Sequence, residues 1–222
     1  MFQITTDPTR SDNYKRFATI CDGIKRIGIS DFLNWLSHTD FIAAPASTKY
    51  HEAYAGGLLE HSLNVYDRII QLDSCFNTQL SPESMTIVSL FHDVCKVNCY
   101  SVDYRNQKTY LNYEMKQELK DLSQLRSDAK GEYIWESVPT YRFVEKDPYG
   151  GHGSKSVFYI MRHMPLTFEE ASAINAHMGA YEDTTYGKAS SVYEWNRLAF
   201  LLHLADESAT FLPMEEYNAD YP

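Results

Sequence analysis

Cysteine, basic charge and long apolar runs are all scarce in this chain of 222 residues. Its 4 cysteines, Cys21, Cys75, Cys95 and Cys99, are too few for a disulfide framework in a chain of this length. Cys95 and Cys99 are closely spaced, but no second pair completes a zinc site around them, so reduced thiols in a cytoplasmic protein are expected. With 20 Lys+Arg against 30 Asp+Glu, the formal net charge is −10. That balance disfavours indiscriminate binding to phosphate backbones, extended duplex nucleic acid included. No stretch approaches the ~18 consecutive apolar residues of a membrane span, so no membrane partner is expected. The opening MFQITTDPTRSDNYKR lacks the charged-then-apolar pattern of a secretion signal. Repeats, low-complexity tracts and linkers are missing too. The 44% apolar and 14% aromatic content suffices for a sizeable core, and the length fits a single domain (1–222) carrying an insertion.

The periodicities predict a mainly α-helical body, roughly 11–98 and 152–210, interrupted by a β-containing insertion at roughly 99–150. Phe17, Ile20, Ile24, Ile27, Phe32, Leu33 and Leu36 recur at helical spacing, with a break near Gly28. FIAAPASTKYHEAYAGG reads as a loop ending at Gly56-Gly57. Leu58, His61, Val65, Ile69 and Leu72 then form one helical stripe. Ser81-Pro82-Glu83 combines a capping hydroxyl, a first-position proline and a first-turn acid, so a helix is predicted from there to about Val97. Tyr100, Val102 and Tyr104 alternate before a polar turn at Arg105-Asn106-Gln107. This predicts a short β-hairpin, with a polar helix over roughly 112–129. Helices are also predicted over Ser154–Met164, from the capping-box pattern at Thr167 to about Ala180, and from about Tyr193 to Thr210.

Five of the predicted helices each turn an ionisable group toward the core: His61, His92, His152, His177 and Asp206. Each taken alone is unremarkable, since core histidines commonly find a partner. Together they are not, because burying such groups unpaired costs several kcal/mol each. A bound cation satisfies all of them at once. Mixed imidazole and carboxylate donors suit Mn, Fe, Co, Ni or Zn, and a shared carboxylate can bridge two ions. On one helix His92 and Asp93 would project about 100° apart, letting the histidine hold one ion while the aspartate reaches between two.

The strings GGLLEHSLNVYD, SLFHDVCKV, GHGSKS, AINAHMGAY and LLHLADESA appear in an order that resembles the HD-domain metal-dependent phosphohydrolases, in particular their binuclear members. The resemblance spans roughly residues 45–210 and implies an HD-domain helical bundle with a small β-hairpin insertion. It further implies that His61, His92, Asp93 and Asp206 hold one divalent transition-metal ion and that Asp93, His152 and His177 hold a second. A water acidified between them would attack phosphorus in a phosphate ester or anhydride of a nucleotide or short oligonucleotide. Lys96, in the family's HD-x-x-K position, would bind a phosphate oxygen or assist the leaving group; otherwise it is a solvent-facing lysine near a helix end. GGLLEHSLNV also resembles an HD module of certain 3′–5′ exonucleases, but the OB-type domain of those enzymes has no room here. Two departures stand out: Cys95 replaces a frequent glycine, and HMGAY at His177 does not match the HD-GYP motif, against cyclic-di-GMP hydrolysis.

Further candidates lie outside the ligand set. His51, shortly before the Gly-Gly turn, either reaches the mouth of a site or lies exposed in its loop. Lys155, one turn into the helix opened by His152, is a second phosphate contact, and Arg142, between Tyr141 and Phe143, can hang over the site from the insertion. Tyr100, Tyr104, Tyr110, Tyr133 and Trp135 either build a base-stacking wall or pack the hairpin onto the body. The same ligand order also resembles HD-fold di-iron oxygenases, and a non-catalytic metal-containing binding module is a third alternative.

Overall fold

The computed structural model describes residues 8–119, 121–144, 149–181 and 189–212. Among them are nine α-helices and a three-stranded antiparallel sheet. The helices are α1 (Pro8–Asp22), α2 (Ile29–Leu36), α3 (Gly57–Phe76), α4 (Pro82–Phe91), α5 (Tyr113–Glu118), α6 (His152–Met161), α7 (Phe168–Ala176), α8 (Ala189–Trp195) and α9 (Arg197–Phe211). The strands are β1 (Tyr100–Tyr110), β2 (Arg126–Asp128) and β3 (Gly131–Phe143), in the order β1-β3-β2. No helix among the described residues is long and apolar enough to cross a membrane.

The core is made by the helical body. Phe32, Phe41 and Phe91 are fully buried, and Phe32 meets Phe91 edge-on with ring centroids 4.8 Å apart. The stripe on α3 is buried at Leu58, His61, Val65 and Ile69, so the spacing that predicts a helix also sets the histidine among core side chains. Gly57 allows the preceding loop to lie against α3: a Cβ there would stand 2.0 Å from the Glu52 carbonyl oxygen. Gly153 does the same for α6 against α7, where a Cβ would come within 2.6 Å of the Asn175 backbone. These two close approaches carry the loop of His51 and the helix of His152 toward the centre.

The starts of α4 and α7 follow the sequence, while their ends depart from it. Ser81 caps α4 through Ser84 N, and Thr167 with Glu170 forms the capping box of α7. The helix predicted to Val97 stops at Phe91, followed by the separate turn Val94–Lys96, and α7 stops at Ala176 rather than about Ala180. Val94, Cys95 and Val97 are buried, so apolar spacing continues past the point where the helix has ended. Tyr193 to Thr210 is two helices, because the Asn196 side chain accepts from Leu198 N and Ala199 N and starts α9 afresh.

The insertion differs most from expectation. Arg105-Asn106-Gln107 is not a turn; it runs through β1, paired with Val138, Ser137 and Glu136 of β3. The predicted polar helix over 112–129 shrinks to α5, a single turn at Leu122–Gln124 and β2. A sheet exposed on both faces has no buried side to impose alternation, so its polar residues imitate a turn. Its aromatics pack on one another, Tyr110 tilted against Tyr133 and Tyr133 edge-on to Trp135 with centroids 5.7 and 5.9 Å apart, while Tyr104 stays exposed. Only Tyr100 of the set packs against the helical core.

Candidate metal centre

Four of the six donors, His92, Asp93, His152 and His177, sit at helix ends. His92 is the residue that closes α4, and Asp93 follows with φ −104° and ψ 15°, so the two do not project from one regular helix as expected. His177 closes α7 in the same way, and His152 is the first residue of α6 after Gly151. His61 and Asp206 lie within α3 and α9. Helix ends free the backbone to turn, which brings donors from five segments to one place.

His61 Nε2 lies 3.0 Å from Asp206 Oδ1 and 3.9 Å from Asp93 Oδ2. His92 Nε2 lies 3.5 Å from Asp93 Oδ2 and 3.8 Å from Asp206 Oδ1. His177 Nε2 lies 3.6 Å from Asp93 Oδ1. Only the first is a hydrogen bond. Among the described residues, His92 Nε2, His177 Nε2 and Asp93 Oδ1 are buried with no hydrogen-bond partner, although His61, His92 and His177 are fully buried and Asp93 is 3% exposed.

The spacings suit a cation. Donors about 2.0–2.2 Å from a common ion stand roughly 2.9 Å apart at a right angle and roughly 4 Å apart when opposed, and all five distances fall in that interval. The rings are already oriented: Nδ1–H of His92 donates to the Ser89 carbonyl at 2.9 Å and that of His177 to the Ile174 carbonyl at 2.6 Å. Each therefore turns its Nε2 inward, the arrangement that outer hydrogen bonds impose on ligating histidines. These buried His and Asp groups can hold a metal ion, in the sets His61/His92/Asp206, His92/Asp93/His177 and Asp93/Cys95/His152. His152 and His177 thus fall in different sets, both sharing Asp93.

The charges balance around Asp93. Burial would raise its carboxyl, but Lys96 and His92 hold it well below the ordinary range. Lys96 is no solvent-facing lysine: its Nζ sits 2.6 Å from Asp93 Oδ2, and Asp93 outweighs the effect of burial to keep it charged. Burial lowers His61, yet its hydrogen bond to Asp206 and the nearby Glu52 carboxylate push it up to about 9. Asp206, despite burial, is lowered by His61 and His92.

The other predicted residues divide. His51 reaches the site: its ring lies 4.7 Å from that of His61, with neither nitrogen hydrogen-bonded among the described residues. Lys155 is buried and, with His152, Cys95, Phe143, Tyr149, Gly150 and Gly151, lines a cavity of about 240 Å³ beside the Asp93/Cys95/His152 set. Arg142 is exposed on β3 and does not line that cavity; strand alternation turns its neighbour Phe143 inward instead, 6.1 Å from the His152 ring.

Three features escaped the sequence reading. Glu52 places Oε2 3.6 Å from His61 Nδ1, and only its position beside His51 hinted at it. Cys95 joins the donors of His152 and Asp93. His203 Nδ1–H donates to the His177 carbonyl at 2.7 Å, stacked 5.3 Å from Tyr193, fixing the turn that carries His177. Its place one helical turn before Asp206 was the available clue. Comparison with family models, curated proteins and solved structures finds no match to this chain.

Proposed function

We propose that this chain is a metal-dependent phosphohydrolase of the HD type, with two divalent transition-metal ions, that cleaves a phosphate ester or anhydride of a nucleotide-like substrate. The observation that carries the reading is the convergence of partnerless, buried Nε2 of His92, Nε2 of His177 and Oδ1 of Asp93 on one space. His61, His92 and Asp206 would hold one ion, His152 would reach the other, and Asp93, with His177 beside it, would stand between them. Once bound, the ions would lower the pKa of a water and neutralise charge on the phosphoryl oxygens.

The chain's own residues supply the rest. Lys96, held beside Asp93, is positioned to donate to a phosphate oxygen as charge builds there, the kind of contact whose loss typically lowers turnover roughly 10²–10³-fold. His51, over the His61 ring, offers a further contact at the site's edge. The cavity walled by His152 and Lys155 takes the remainder of the substrate, and its two aromatic rings, Phe143 and Tyr149, give a nucleobase faces to stack on. The acidic net charge of −10 favours a small substrate over a long polyanion.

Product analysis tests the reading. Protein loaded with Mn, Fe, Co, Ni or Zn is offered nucleoside mono-, di- and triphosphates, cyclic nucleotides, aryl phosphates and short single strands, with the His92→Ala protein as blank. Turnover confined to the intact chain is expected. Silence across the panel, with iron-dependent O₂ uptake instead, would replace hydrolysis with oxygen chemistry.

A further inference from the structure

Cys95 is a donor that the ligand scheme above leaves out. It is 2% exposed and lies in the turn Val94–Lys96, directly after Asp93. Its backbone N–H donates to Ser156 Oγ at 3.1 Å, tying the turn to α6, the helix that begins with His152. The Cys95 Sγ consequently sits 3.4 Å from His152 Nδ1. An ion about 2.3 Å from a thiolate and about 2.0–2.1 Å from an imidazole nitrogen, in tetrahedral geometry, places those donors roughly 3.6 Å apart.

An oxygen of Asp93 completes the set, all three donors lying within 4.8 Å of one another. Asp93 is shared with the His92/His177 set, and its Oδ1 is buried with no hydrogen-bond partner among the described residues. Cys99 does not compete for the position: its Sγ–H is turned to the Cys95 carbonyl oxygen at 3.4 Å.

We propose that Cys95 is a metal ligand, and that Asp93, Cys95 and His152 form a thiolate-containing second cation position. The inference rests on the metal-centre reading above and deepens it by assigning a ligand and a metal preference. A sulfur donor favours zinc, iron(II) or cobalt(II) over magnesium or manganese. When the sulfur binds, its S–H bond breaks, the proton passes to solvent and the electron pair goes to the ion, so loading this position releases a proton.

Cobalt(II) added to the full chain provides the test. A near-ultraviolet thiolate-to-cobalt charge-transfer band is expected to grow with the second equivalent bound. Cys95→Ser should lose the band and one equivalent while keeping the other, and Cys99→Ser should keep both band and stoichiometry. Because Cys95 is buried, X-ray absorption of the zinc-loaded intact chain gives a reading independent of any variant, with a sulfur scatterer expected at about 2.3 Å. Cobalt bound without the band, or zinc without sulfur, would overturn the thiolate site while leaving the metal-centre reading standing; the Cys95–His152 contact would then be a hydrogen bond only. Loss of the band in Cys99→Ser would overturn the assignment to Cys95. A chain that binds no cobalt would overturn both readings together.

Discussion

The helical body and the β insertion treat their polar side chains in opposite ways. On the sheet, Lys108 pairs with Asp128 at 2.6 Å, Tyr110 donates to the same carboxylate at 3.0 Å, and the Lys108 ammonium lies 4.2 Å from the centre of the Tyr133 ring. Those groups satisfy one another in the open. At the heart of the body, His92, Asp93 and His177 face each other at distances too long for hydrogen bonds, with buried atoms unmet. A surface network is complete without a ligand, whereas a buried set of this kind pays a standing desolvation penalty that a cation removes. The body is therefore where chemistry is expected. Among the described residues the insertion meets the body at its root, where Tyr100 packs on the core and the Phe143 ring lies 6.1 Å from that of His152.

The contrast can be broken most severely at Asp93. Asp93→Ala is expected to reduce phosphate release to that of the blank, checked by product assay. Next in size is a control within the body itself. Glu170 is fully buried yet satisfied, by both Arg26 terminal nitrogens at 2.8 Å, by Ser84 Oγ and by the Thr167 N–H. Arg26→Ala strands that carboxylate and should destabilise the fold by about 3 kcal/mol, read by denaturant unfolding, with no change in metal stoichiometry.

The same carboxylate sets a pH dependence. Burial would raise Glu170, but Arg26 and the Thr167 N–H hold it below its ordinary value of 4.5. A depressed carboxyl stabilises the fold fully above that ordinary value and progressively less as pH falls through the lowered one. Acid unfolding should therefore be shallower in Glu170→Gln than in the parent, as thermal melts across an acid series would reveal.

Lys96→Ala sharpens the comparison in the other direction, since metal content should persist while turnover falls roughly 10²-fold; loss of metal would mean that Lys96 acts by holding Asp93. Saturating metal, at about 100 times its Kd, should add about 2.7 kcal/mol of stability, roughly 5–10 °C in Tm for a chain of this size, and Asp93→Ala should abolish that gain. At the small end, Lys108→Ala on the sheet should leave Tm, metal content and turnover unchanged.

The same two regions show what the sequence could reveal. His61 was legible because three buried neighbours, Leu58, Val65 and Ile69, recur on its helix face, and the starts of α4 and α7 were legible because capping is local chemistry. That His92 and His177 close their helices was not legible, because apolar spacing continues beyond each end. Glu52 and Cys95 depend on a loop and a turn that only the tertiary packing aims, so no periodicity marks them. The long strands of the insertion were hidden because neither face is buried enough to impose alternation.

Equilibrium dialysis of metal-free protein against cobalt(II), with bound metal counted per chain, tests the central claim most directly. Two ions bound by the intact chain, and neither held tightly by Asp93→Ala, is the expected result. An intact chain that binds none, or that binds no more than Asp93→Ala, would contradict a cation centre built around Asp93.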